Sequence, residues 1–138
     1  MIDMRSKQRN QQVKLLGLAT ATVITVIPSA ARAEWVYVTS TQDGEAILAV
    51  EDSSINNQGS TVTFWQQDLW KIPYKGQVKR IITHYALDCS TQETRVINST
   101  AYNNKGNPLN KLAYPTGAVT TFPPGTAGYT VGQMVCGN

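Results

Sequence analysis

Histidine, phenylalanine and cysteine are scarce in this chain of 138 residues, which holds one His, two Phe and two Cys. His84 and two cysteines leave too few ligands for a structural zinc site, which takes four Cys or His side chains. No CxxC pair, no phosphate-binding GxxxxGK[ST] loop and no GxGxxG fingerprint occurs, so the usual metal, nucleotide and redox signatures are missing. Internal repeats, low-complexity tracts and long linkers are absent as well. No apolar run reaches the roughly 20 residues that span a bilayer. The longest, Leu15 to Ile27, is shorter and is interrupted by Thr20, Thr22 and Thr25.

That run sits inside a recognisable pattern. Arg5, Lys7, Arg9 and Lys14 precede it, and Pro28, Ser29 and the small-residue sequence Ala31-Arg32-Ala33 follow it. A basic segment, a short apolar segment and an Ala-x-Ala site define a secretory signal peptide. The expectation is a signal over residues 1–33, cleaved between Ala33 and Glu34, with an exported domain over 34–138. A transmembrane anchor is the competing reading. No cysteine lies near the cleavage site, so lipoprotein-type anchoring is not offered.

Cleavage reverses the charge argument. Five of the twelve basic side chains and one of the nine acids lie in residues 1–33, which leaves seven bases and eight acids. The positive charge therefore belongs to the targeting segment, and a nucleic-acid partner has no support in net charge. In an exported domain this small, two cysteines imply one disulfide, Cys89 to Cys136, with free thiols as the alternative.

The exported part carries strand signals along its length. Trp35–Thr39 is aromatic and β-branched. Glu45–Glu51 is apolar and closely bounded by turn residues, which favours strand over helix. Ser60–Gln66 alternates, with Val62 and Phe64 on one face and Thr61, Thr63 and Trp65 on the other. Val78–Asp88 is the longest candidate; Ile81, Thr83, Tyr85, Leu87 and Cys89 share a face, and Ile82, His84, Ala86 and Asp88 share the other. Ser90-Thr91-Gln92 turns the chain into Thr94–Ala101, and Gly117–Phe122 is a short last strand. Asp52 to Gly59 reads as a polar loop, and residues 109–116 as irregular. Gln67–Gly76 reads as a connection, because Pro73 argues against a central strand. After Pro123-Pro124-Gly125, Thr126 is a plausible N-cap for a helix to about Cys136, with a strand as the alternative.

Few side chains suggest chemistry. A lone histidine in mid-strand is more often a packed or half-exposed sheet residue than a catalytic group, although His84 with Asp88 or Glu51 is the one enzymatic combination available. Glu51 and Asp52 are neighbours that a strand would point apart, and Asp52 fits a turn better. Asn98-Ser99-Thr100 matches the N-glycosylation pattern, a short and weak signal in a chain with a bacterial-type leader. The stretch from Trp70 to Arg80 is different: Trp70 and Tyr74 interleave with Lys71, Lys75, Lys79 and Arg80, and it holds no acid. Such a loop suits an acidic protein segment or a polyanionic glycan. A solvated loop with its aromatics tucked beneath is the plainer alternative.

Several segments together resemble the surface-adhesin protein E family of small exported bacterial proteins. They are Trp35 directly after the Ala-x-Ala site, Asp52-Ser53-Ser54-Ile55, Gly59, Val62–Trp65, Lys79 through Asp88-Cys89 to Arg95, Pro124-Gly125-Thr126 and Val135-Cys136. The resemblance implies a six-stranded antiparallel sheet with a C-terminal helix and a Cys89–Cys136 bridge. It also implies binding of host extracellular-matrix proteins.

The fold expected is thus α+β: about six antiparallel strands, a short C-terminal helix packed on them, and one disulfide. The function expected is a non-enzymatic binding module with no cofactor and no metal, placed in the periplasm or at the cell surface. Its partner would be a protein or a glycan, and a second copy of the chain is one form that partner could take. A periplasmic inhibitor or envelope-assembly factor acting by protein contact is the alternative.

Overall fold

The computed structural model describes residues 34–137. The expected signal peptide over residues 1–33 lies outside the described residues. Seven strands form one antiparallel sheet: β1 (Trp35–Ser40), β2 (Ala46–Glu51), β3 (Asn56–Gln58), β4 (Thr61–Tyr74), β5 (Val78–Asp88), β6 (Glu93–Tyr102) and β7 (Val119–Thr121). Their order is β1-β2-β4-β5-β6-β7, and β3 pairs with the free start of β4. One helix, α1 (Ala127–Val135), ends the described chain. No helix among the described residues is long and apolar enough to cross a membrane.

Period-two patterning decides which face is covered. From Thr61 to Asp68 and from Ile81 to Leu87, buried and half-buried residues alternate strictly. The inner face holds Val62 and Phe64 of β4, Tyr85 and Leu87 of β5, and Leu48 and Val50 of β2, and these pack against Val131 and Val135 of α1. Ile81 and Val78 form a second cluster with Ala101, under Leu109, Leu112, Ala113 and Tyr114. Ile81 therefore lies beneath the irregular segment rather than beneath the helix. Among the described residues, no second layer covers the outer face.

Two strand readings need correction. The turn at Asp52–Ser54 leads into β3, which lay inside the expected polar loop. The turn is held by Ile55 N–H donating to the Asp52 carbonyl, and by Ser54 Oγ, which donates to the Glu51 carbonyl and accepts from Trp65 N–H. The second correction concerns 67–76, expected as a connection. β4 continues through it to Tyr74. Pro73 is tolerated because β2 has already ended at its Ala46–Trp70 pair, and because the β4–β5 register is irregular between Leu69 and Tyr74.

The helix begins where the sequence suggested: Thr126 Oγ1 accepts from Tyr129 N–H at 3.3 Å. Its buried side is Val131, Gly132 and Val135. A Cβ on Gly132 would meet Leu87 of β5 at 3.3 Å, so the lack of a side chain here lets the helix approach the sheet closely. Gly128 faces a different neighbour: a Cβ there would lie 2.6 Å from the Phe122 ring. Cys136, the C-cap, is bonded to Cys89 just beyond β5, a link across 47 residues.

Two outcomes follow for stability. A closed loop of this length contributes about 4 kcal/mol in the chain-entropy model, so Cys89→Ser with Cys136→Ser should lower the denaturation free energy by about that amount. Chemical denaturation of the oxidised protein and the double variant measures it, and a difference under about 1 kcal/mol would show that packing alone seats the helix. Gly128→Ala should destabilise by about 1–3 kcal/mol despite alanine's better helix propensity, because the Phe122 ring has no room for the methyl. Gly132→Ala, with only the end of Leu87 to displace, should be close to neutral in the same thermal melts.

Candidate functional site

The stretch singled out by sequence, Trp70 to Arg80, is the far end of the β4–β5 hairpin. The chain reverses through Lys75 (φ 51°) and Gly76 (φ 74°), both left-handed, with Gly76 N–H donating to the Pro73 carbonyl and Gln77 N–H to the Tyr74 carbonyl. The hairpin divides the six candidate residues. Trp70 is half-buried, packs against both apolar clusters, and stacks on Tyr74 with ring centroids 5.3 Å apart. Lys79 Nζ donates to the carbonyls of Trp70 and Lys71, so it ties the two strands together. Arg80 lies over the Tyr102 ring at 5.0 Å, and Lys75 over the Tyr74 ring at 5.4 Å. Lys71 and Lys75 are exposed. Beside them Ile72 is 75% exposed and Tyr74 44%, which leaves an apolar tip ringed by positive charge. Ile72 was not among the residues chosen from sequence; read as a loop residue it had no face.

His84 lies on the outer face, stacked on Trp65 at 4.7 Å with ring planes 7° apart. Partial burial pushes its imidazole below the ordinary pKa. Neither carboxylate considered for it comes close. Asp88 is four residues along the same strand, about 13 Å away at strand spacing, and Glu51 is two strands across, about 10 Å away, with Trp65 between. Asp88 caps its own turn instead: its Oδ1 accepts from Ser90 N–H, Ser90 Oγ and Thr91 N–H, and the Ser90 bonds hold the carboxyl below the usual range. Among the described residues, no three His, Cys, Asp or Glu side chains are grouped to hold a metal ion.

The inner face contains a feature that the sequence reading missed. A cleft of about 570 Å³ opens between the sheet and the segment from Tyr114 to Gly128. Ala46, Leu48, Trp70 and Tyr85 line its sheet side, and Tyr114 and Phe122 stand opposite. Gln66 and Asp68 enter the sheet side of this mainly apolar wall. Asp68 is 8% exposed; its Oδ1 accepts from Gln66 Nε2 at 2.6 Å and its Oδ2 from the Tyr114 hydroxyl at 2.8 Å. Burial pushes the Asp68 carboxyl up, and the two donated hydrogen bonds pull it back part of the way. Burial and then the nearby Asp68 push both Tyr85 and Tyr114 up, so both stay neutral phenols. A signal was present. Once β4 is extended, Val62, Phe64, Gln66, Asp68 and Trp70 share one face, and the polar pair interrupts an otherwise apolar stripe.

The geometry can be set beside known proteins. No curated protein matches the chain in sequence. Among solved structures, crystal form II of Haemophilus influenzae protein E is similar at 14% identity, with a TM-score of 0.53 over 80% of this chain and 93% of that one. A second structure of Haemophilus influenzae protein E is 15% identical, with a TM-score of 0.51 over 80% and 89%. Its selenomethionine form is 13% identical, with a TM-score of 0.52 over 80% and 92%. At such identities the likeness is one of fold. A family model, surface-adhesin protein E, matches residues 35–137, which takes in every strand and the helix. The chain belongs to the surface-adhesin protein E family.

Proposed function

We propose that this protein is an exported, non-enzymatic binding module that docks an extracellular protein through the tip of its β4–β5 hairpin. The observation that carries the reading is the tip itself. Ile72 and Tyr74 are exposed at the end of a two-stranded arm, next to the ammonium groups of Lys71 and Lys75. No acidic residue lies between Asp68 and Asp88. An apolar and aromatic centre with a basic rim is the composition of a protein-contact patch, and the charge selects an acidic partner. Membership of an adhesin family supports the reading, as does a His84 stacked on an aromatic ring rather than paired with a carboxylate. Export rests on the leader pattern, with cleavage between Ala33 and Glu34. A periplasmic inhibitor or envelope-assembly factor would use the same tip from a different location.

Cells producing the protein should adhere to immobilised extracellular-matrix proteins. Ile72→Ser with Lys75→Glu should weaken capture by roughly tenfold or more, since central apolar anchors and their charged neighbours dominate such contacts. Lys79→Ala should lower the melting temperature without a matching loss of capture, because its ammonium is spent on backbone carbonyls. Unchanged capture by the first variant sinks the hairpin assignment. Protection of the protein from added protease on intact cells moves it to the periplasm, and with it the function to the inhibitor reading.

A further inference from the structure

The inner-face cleft is remote in character from the basic tip. At about 570 Å³ it falls within the range of small-molecule sites, roughly 300–1,000 Å³. Its lining is mostly apolar, with Gln66, Asp68, Thr41, Thr120 and Thr126 as the polar side chains besides the tyrosines, and Asp68 is the one ionisable carboxyl among them. Asp68 receives two donated hydrogen bonds, the arrangement that suits an ionised carboxylate. A buried carboxylate ordinarily also has a cation beside it, because an uncompensated charge is expensive to desolvate. Here there is none: among the described residues the one charge pair is Arg95 with Glu93, both exposed. Asp68 borders this mainly apolar space with no cation beside it among the described residues.

We propose that the cleft binds an amphipathic amine, a small molecule whose aliphatic or aromatic body fills the apolar space and whose primary ammonium hydrogen-bonds Asp68. The rings of Trp70, Tyr85 and Tyr114 are in the same lining and attract an ammonium further. Burial disfavours the charged carboxyl in the empty cleft, and an ammonium alongside restores it. The N-terminus of α1, at Thr126 to Gly128, also borders the cleft and by itself favours an anion. Thr126 Oγ1 already accepts one of its N–H groups. Of the two, the helix end is already partly capped, whereas Asp68 has no cation beside it among the described residues.

The test is calorimetric titration of the purified, disulfide-intact protein with decylammonium, decanol and decanoate, each below its micelle concentration. Decylammonium should bind about tenfold tighter than decanol or better, a difference of about 1.4 kcal/mol. Asp68→Asn, which keeps the size and removes the charge, should lose that preference, with the fold checked by near-ultraviolet circular dichroism. Equal binding of amine and alcohol by the native protein overturns the proposal, as does tighter binding of decanoate. Binding of none of the three overturns the cleft as a ligand site. An amine preference that survives in Asp68→Asn removes Asp68 as the recognition group.

Discussion

Among the described residues the sheet is covered on one face, and the rest of the structure depends on how that cover is held. Nine residues of helix, two of them glycines, could not stay on a sheet through intrinsic propensity. Val131 and Val135 supply an apolar ridge, and Cys136 is bonded to the end of β5. The bond fixes the last turn of the helix against the strand that carries Tyr85 and Leu87. The core beneath is then closed at one end by α1 and at the other by Leu109 to Tyr114. These two covers do not meet over Asp68, and the cleft is the space between them.

The same one-sidedness explains why the hairpin tip is available. β4 has fourteen residues, and its neighbour β2 accompanies it only as far as Trp70. Beyond that point β4 has β5 as its one strand neighbour, and the second apolar cluster reaches into the arm only through the buried Val78, which pairs with Tyr74. An unaccompanied two-stranded arm is marginal in water. Here it is reinforced locally, by the Trp70–Tyr74 stack and by Lys79 reaching back to the carbonyls of Trp70 and Lys71. Trp70 and Lys79 are thereby drawn inward, and Lys71, Ile72, Tyr74 and Lys75 remain exposed.

What could be read from the sequence was whatever rests on local patterning. The alternation in Val78–Asp88, the turn at Ser90-Thr91-Gln92 and the cap at Thr126 each depend on a few neighbouring residues, and each was legible. The second half of β4 was not. Proline argues against a central strand, and nothing local reveals that β4 outlasts its neighbour at that point. Asp68 was illegible for a longer-range reason. Its burial is made tolerable by Tyr114, 46 residues away, and no spacing rule connects the two. The family likeness, spread over short motifs from Trp35 to Cys136, carried the bridge and the sheet but did not reach this pair.

Trp70 shows how close the two surfaces come without merging. Its position on β4 follows Phe64, Gln66 and Asp68 on the inner face, so one side of the indole lines the cleft. It also stacks on Tyr74, whose ring reaches the exposed tip and carries the Lys75 ammonium over it. Removing the indole would open the cleft wall, free Tyr74 and loosen the arm together. A loss of capture in Trp70→Ala could not be assigned to the tip, and a loss of amine binding could not be assigned to the cleft. Ile72 and Asp68 lie four residues apart on the same strand, one with three-quarters of its surface in water and the other buried in the cleft lining and hydrogen-bonded to Tyr114. They are the positions at which the two surfaces separate, because Ile72 is exposed at the tip and Asp68 lines the cleft.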